Sequence, residues 1–198
     1  MAMAGQAVSP PEWVFGYGSL MWNPGFPYTE RHPATLEGFH RAFCIYSQHH
    51  RGTPEQRGLV LGLDRGGQCR GVAFRVAASD WQGVVDYLDE RELIGYAYQP
   101  IQLPVRLDDG TVAQAHTYVA DTSHPQFAGG LNNADSASLI NHAEGKAGSN
   151  RDYAIKLIEE LESHGFPDKH LHELLERVAR SEANEVSAEA KSVSPLGT

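Results

Sequence analysis

Apolar positions fall into two regimes along the chain. From residue 13 to residue 120 they come in short runs punctuated by glycine and proline. After residue 135 they recur every three or four positions. In the first regime, Val14 and Phe15 open a strand that ends in Gly16, Tyr17, Gly18, Ser19 and Leu20. Residues 36–47 carry Phe39, Phe43 and Tyr46 and read as a second strand, with Gly38 as a bulge position. Residues 59–63 and 71–76 read as two short strands hinged at Arg65, Gly66 and Gly67. Residues 97–107 and 112–120 form another pair, joined at Asp108, Asp109 and Gly110, where the Asp-Gly step favours a hairpin. A polar loop over 48–54 and a turn-rich loop over 23–27, whose aromatics are placed to cover a pocket, lie between these runs.

One helix interrupts the strands. Trp81, Val84, Val85 and Leu88 stand at i, i+3, i+4 and i+7, an apolar stripe. Ser79 and Gln82 have the spacing of a capping box, and Gly95 stands where a left-handed C-terminal cap would close the helix. In the second regime, residues 136–145, 151–164 and 168–185 have helical periodicity, broken at Gly148-Ser149 and at Gly165-Phe166-Pro167. The pattern predicts an α+β fold: an antiparallel β core, one inserted helix and a C-terminal helical layer. Residues 1–12 read as a flexible leader around Pro10-Pro11, residues 13–185 as a single domain, and the small polar residues 186–198 as a disordered tail.

Composition narrows the partners. With 198 residues the chain is long enough for one full core or a core with a helical appendix, but short for two independent domains. No apolar run approaches the roughly 18 residues of a membrane span, and no secretory signal is visible at the N-terminus. Formal net charge is −9, without a basic block, which argues against nucleic acid or an anionic membrane as partner. A small anionic substrate stays open, because a pocket needs only a few local donors. Cys44 and Cys69 lie far apart and outside any C-x-x-C motif, so the expectation is free thiols and a cytoplasmic location. Among the ten histidines, His49-His50 are adjacent in a loop and His170 and His172 diverge on a helix. Neither set has metal-ligand spacing, so no metal or other cofactor is expected.

Two stretches carry candidate chemistry. The run from Gly16 to Leu20 is either a ligand cradle of exposed backbone N–H groups or a hairpin turn with glycines for shape. Ser19 does not stand in G-x-S-x-G, and no Asp…His pair follows in recognisable spacing. The glycines do not complete G-x-G-x-x-G, since residue 21 is Met, and no P-loop lysine follows. In the inserted helix, Glu92 lies roughly 20° from Trp81 around the axis, in line with the apolar stripe. Glu90 comes out at about 180° and Asp89 at about 80°. Glu92 is thus either a carboxylate in a partly apolar pocket, its pKa raised toward neutrality, or an exposed charge on a fraying last turn. Arg91 opposes any rise, leaving the net direction open. Arg41, Arg51 and Arg75 are equally readable as contacts for a substrate carboxylate or as salt-bridged arginines.

The chain resembles the ChaC-like, glutathione-specific γ-glutamylcyclotransferases. The likeness rests on Val14-Phe15-Gly16-Tyr17-Gly18-Ser19-Leu20-Met21-Trp22, Phe26-Pro27-Tyr28 and Gly38-Phe39-His40-Arg41-Ala42-Phe43. It continues in His50-Arg51-Gly52-Thr53-Pro54, Gly71-Val72-Ala73-Phe74-Arg75 and Tyr87-Leu88-Asp89-Glu90-Arg91-Glu92, with a weaker Gly148-Ser149-Asn150-Arg151-Asp152-Tyr153. The resemblance implies a small twisted, mostly antiparallel β-barrel flanked by helices. It also implies cleavage of glutathione to 5-oxoproline and cysteinylglycine. It makes Glu92 the catalytic acid/base, and Tyr17, Gly18, Ser19, Leu20 and Tyr153 substrate contacts. Where many members carry a tryptophan after Arg-x-Phe, this chain has Cys44, and residues 120–133 match poorly. Two alternatives stand beside glutathione cleavage: cyclisation of another γ-glutamyl compound, and a non-catalytic regulator of cation transport on the same fold.

Overall fold

The computed structural model describes residues 12–93 and 97–192. Nearly all of the expected leader, the Gly95 cap and the end of the expected tail therefore lie outside the described residues. The chain divides into two compact units, Met1–Phe39 with Gly66–Val119, and His40–Arg65 with Ala120–Thr198. The elements in chain order are β1 (Trp13–Gly16), a 3-10 turn (Ser19–Met21), β2 (Glu30–Ser47), β3 (Gly58–Arg75), α1 (Trp81–Glu92), β4 (Tyr98–Leu107) and β5 (Val112–Ala120). They continue with α2 (Asn133–His142), β6 (Glu144–Gly145), β7 (Gly148–Ser149), α3 (Asn150–Ser163) and α4 (Lys169–Ser192).

The strands close a barrel in the order β1-β3-β2-β4-β5, so the predicted α+β class and barrel are what the chain forms. β1 runs antiparallel to β3, with Val14 opposite Phe74, and parallel to β5, with Val14 opposite His116. β2 pairs antiparallel with β4, Leu36 facing Val105. Val14, Phe74, Leu88 and Val105 are fully enclosed. A four-residue strand with neighbours on both sides must be apolar throughout, which is why the first run shows no alternation.

The hinge expected at residues 65–67 does not reverse the chain. β3 is a single 18-residue strand, and Gly66 (φ 96°) and Gly67 (φ 68°) lie inside it. Glycine in the left-handed region is also the residue of a β-bulge, which bends a strand without ending it. Gly38 (φ 82°) does the same in β2. The reversal lies instead between β2 and β3, where Thr53 N donates to Gln56 O at 2.9 Å. The capping box on α1 does not form either. The helix starts after Asp80, Gln82 bonds Asp86 at 2.8 Å, and Ser79 bonds the Asp80 carboxylate at 3.3 Å. In the 23–27 loop Phe26 is buried and meets Phe74 edge-on at 5.7 Å, and Gly25, Phe26 and Pro27 line a surface pocket with Tyr87.

In the second unit the three helices α2, α3 and α4 pack on one another. α2 begins three residues earlier than its periodicity suggests, because Asn132 accepts from the N–H groups of Ala134 and Asp135. Ser149 caps α3 by accepting from Asp152 N at 3.0 Å. α4 continues to Ser192, past the residue 185 at which the periodicity stopped. Cys44 and Cys69 are both free and buried. A Cβ on Gly62 would come within 2.8 Å of the Cys44 sulfur, and burial pushes that thiol up to about 12.

Asn150 joins α3 to β3. Its Oδ1 accepts from Leu59 N at 2.6 Å and its Nδ2 donates to Leu59 O at 2.7 Å, with the residue wholly enclosed. The amide thus serves one residue of β3 as a neighbouring strand would. Asn150→Ala leaves a buried donor and a buried acceptor unpaired. The expected loss is about 2–6 kcal/mol, taking about 1–3 for each group. It is read as a lower urea midpoint at unchanged m-value.

Candidate functional site

The site is built in the first unit, where β1 ends. β1 does not pair with the next strand in sequence, so the stretch after it is no hairpin turn. It becomes instead a 3-10 turn in which Met21 N donates to Gly18 O at 2.9 Å and Trp22 N to Ser19 O at 3.3 Å. The N–H groups of Ser19 and Leu20 precede the first such bond and are the donors that a helical turn leaves over. Tyr17 and Leu20 put their side chains into the core, 8 % and 7 % exposed, while Gly18 is half-buried and Ser19 exposed. Tyr17, Gly18 and Leu20 can therefore present backbone, and Ser19 both backbone and hydroxyl. A side chain at Gly16 would stand 3.0 Å from the Leu20 Cβ, so glycine there is what lets the turn fold back on the strand.

The carboxylate comes from α1. Val84 and Leu88 are buried, Glu90 is exposed and Asp89 half-buried, as the wheel angles predicted. Glu92 is the last residue of the helix, and its side chain keeps 21 % exposure. Burial raises its pKa above the usual carboxylate value, and the positive charge of Arg91 lowers it by less, so the net shift is upward. The direction that the sequence left open is thereby set by desolvation.

Arg91 ties this carboxylate to the turn. Its Nη2 donates to Ser19 Oγ at 2.7 Å, and its Nη1 to Asn23 O and to Tyr87 Oη, each at 3.1 Å. Its Nε stands 3.3 Å from Glu92 Oε1. On the barrel side, Tyr118 of β5 donates to Asp89 Oδ1 at 2.6 Å, and His116 Nε2 lies 3.1 Å from the same phenol. Burial, Asp89 and Glu92 all push the Tyr118 pKa up. Burial holds His116 below its ordinary value, with Asp89 opposing. Both groups are thus uncharged near neutrality. Tyr118 and His116 escaped sequence reasoning. Their i, i+2 spacing places them on one face of a strand, but nothing local names Asp89 as their partner.

Arg41 and Tyr153 belong to the second unit. Arg41 is 2 % exposed and pairs with Asp168 at 3.5 Å, beside a cavity of about 250 Å³ that Cys44, Ser136 and His170 also line. Arg41 is thus salt-bridged, but as a buried side chain lining a cavity rather than as a surface arginine. Tyr153 accepts from Leu61 N at 3.4 Å, meets Phe43 edge-on at 6.0 Å and lies 5.0 Å beneath the Arg51 guanidinium. Arg75, the third arginine, pairs with Glu12 and Glu30 at the barrel surface.

A closed five-stranded barrel, a 3-10 turn with unspent amides at the end of its first strand, and an inserted helix delivering an acid beside that turn define a γ-glutamylcyclotransferase-like fold. The profile of the ChaC-like proteins matches residues 12–181, and the chain belongs to that family. It is 39 % identical over 170 residues to a glutathione-specific gamma-glutamylcyclotransferase of Escherichia coli, covering 86 % of this chain and 74 % of that one. Gamma-glutamylcyclotransferase 2-3 of Arabidopsis thaliana is 34 % identical, over 90 % of this chain and 94 % of its own length. Among solved structures, a yeast gamma-glutamyl cyclotransferase specific to glutathione superposes with a TM-score of 0.74 at 26 % identity. That match covers 86 % of this chain and 99 % of the yeast chain.

The raised pKa of Glu92 has a consequence for stability. Below the ordinary value of 4.5 the carboxyl is protonated in both folded and unfolded chains, and it contributes nothing to pH dependence. Above it the folded state holds the proton longer, so stability falls as pH rises through the folded pKa. Glu92→Gln removes that loss. The variant is expected to melt at a higher temperature than the parent at pH 8, with the gap closing toward pH 4. Parallel melting curves across that pH range that never converge would contradict a desolvated Glu92.

Proposed function

We propose that this protein is a γ-glutamylcyclotransferase that cleaves glutathione to 5-oxoproline and cysteinylglycine. One observation carries the reading: a carboxylate of raised pKa is tied by one arginine to a turn whose first N–H groups, those of Ser19 and Leu20, precede its first helical bond. The names of the relatives above give the substrate class, and family membership joins them to this chain.

The reaction is an intramolecular aminolysis. The α-amine of the γ-glutamyl group attacks its own γ-carbonyl, forming the lactam C–N bond while the bond to the cysteinyl nitrogen breaks. Nucleophile and electrophile share one molecule, so no enzyme nucleophile is needed. Holding the chain curled does much of the work. Glu92 as carboxylate takes a proton from the α-ammonium and passes it to the departing cysteinyl nitrogen. The second proton that the attacking nitrogen sheds as the lactam forms ends on the same departing amine, which leaves as an ammonium, so the enzyme ends as it began. Burial brings its pKa closer to that of the groups it serves. The N–H groups of Ser19 and Leu20 are the donors for the oxyanion of the tetrahedral intermediate. These tasks fall to the first unit, and none is assigned to Arg41 or Tyr153.

The substrate is a small molecule, and no described helix is long and apolar enough to cross a membrane. Two buried cysteines without a disulfide support a reducing, cytoplasmic setting.

Incubating the purified protein with glutathione is expected to release 5-oxoproline and cysteinylglycine in equal amounts. Glu92→Gln is expected to keep the fold and lower turnover roughly 10²–10⁴-fold, the range for losing general acid–base catalysis. Product from another γ-glutamyl compound but none from glutathione would move the substrate assignment. No product from any would leave the non-catalytic alternative, and a Glu92→Gln variant above half the parent activity would remove Glu92 from its role.

A further inference from the structure

The structure assigns Arg91 a positioning role: its guanidinium fixes which oxygen of Glu92 carries the proton and turns the Ser19 hydroxyl into a donor facing the substrate. The role rests on the reaction proposed above.

The guanidinium is planar and presents its N–H groups in a fixed fork. Here all three of its nitrogens have partners within the first unit. Two of its bonds, to Asn23 O and Tyr87 Oη at 3.1 Å each, are to groups outside the proposed chemistry. They hold the plane in place whether or not substrate is bound. The Tyr87 phenol packs closely on Gly25 (φ 74°), where a Cβ would stand 2.1 Å from its oxygen. The remaining two contacts reach the two halves of the site.

The first is the 2.7 Å bond into Ser19 Oγ. Arginine donates and never accepts, so this bond occupies a lone pair of the hydroxyl and leaves its proton to point elsewhere. Among the described residues no acceptor takes that proton. The side chain is exposed, so a carboxylate or carbonyl of the substrate is the acceptor it faces. The same bond disables Ser19 as a nucleophile, because a hydroxyl accepting from a permanent cation has less electron density to give and has no base beside it. The second contact is Nε to Glu92 Oε1 at 3.3 Å. With Oε1 so engaged, Oε2 is the oxygen left to accept and return the proton. Among the described residues, the other ionisable groups around α1's end are Tyr118 and His116 of β5 and Tyr87, Asp89 and the exposed Glu90 of α1, none of them a cation near neutrality. Asp89 accepts from the Tyr118 phenol at 2.6 Å. Arg91 is therefore the cation that sets the charge balance of Glu92.

Arg91→Met, Arg91→Lys, Ser19→Ala and the Ser19→Ala/Arg91→Met double variant test this with two readouts. In steady-state assays with glutathione, Arg91→Met is expected to lower kcat/KM on the order of 10²-fold, the cost of a misplaced reacting group. Ser19→Ala alone is expected to cost about 10-fold, and the double variant is expected to be no worse than Arg91→Met within about twofold, because the serine acts through the arginine. In a carboxyl ¹³C NMR titration, which needs no substrate, the Glu92 pKa is expected to rise further in Arg91→Met. In Arg91→Lys it is expected to stay near the parent value although kcat/KM falls, since lysine keeps the charge but not the fork. A purely structural role would lower the melting temperature and leave the Glu92 titration where it was. An unmoved titration in Arg91→Met, multiplicative losses in the double variant, or full activity in Arg91→Met would each overturn the assignment. Absence of 5-oxoproline from the parent protein would instead overturn the proposed reaction, while the titration still decides whether Arg91 sets the charge state of Glu92.

Discussion

Everything at the site hangs from the seam that closes the barrel. β1 is only four residues long, yet it pairs antiparallel with β3 and parallel with β5. Thr117 Oγ1 adds a 2.9 Å bond to Phe15 O. A strand so enclosed cannot slide, because a shift of one residue would exchange its inward and outward side chains. The chain leaving Gly16 is therefore delivered at a fixed point with no partner strand to follow. It tightens into a 3-10 turn and leaves its first amides unspent.

The end of α1 is held to that seam from two sides. Tyr118, two residues after His116 on β5, holds Asp89, while Arg91 reaches across to the turn itself. Both ties act on the last turn of the helix, which is the turn that frays first when nothing holds it. Glu92 consequently stays where the apolar stripe puts it, partly desolvated, with one cation beside it. Desolvation and charge pull its pKa in opposite directions, and desolvation is the larger. Without Arg91 this carboxyl would be harder to ionise, and without the burial it would ionise more readily.

Most elements were legible in the sequence because they are written in local periodicity. The stripe of Trp81, Val84, Val85 and Leu88 gave α1 and put Glu92 in line with it, and the Asp108 to Gly110 step marked the β4–β5 turn. What failed was glycine. At Gly66 and Gly67 a left-handed conformation serves a turn and a bulge equally well, and only the continuation of β3 beside β2 distinguishes them. The capping box at Ser79 failed for a similar reason: Gln82 found Asp86 one turn along, a contact as local as the one expected.

The sequence by itself determined the α+β class, the glycine-bearing turn after the first strand, and the carboxylate on the core-facing side of the inserted helix. Each of these depends on residues within one or two turns of each other. Tertiary structure alone decided that β1 lies between β3 and β5, and that Tyr118 meets Asp89 across 29 positions. It also decided that Arg91 joins Ser19 to Glu92 across 72 positions. It set the direction of the Glu92 shift as well, since desolvation is a property of the surrounding volume and no spacing along the chain encodes it.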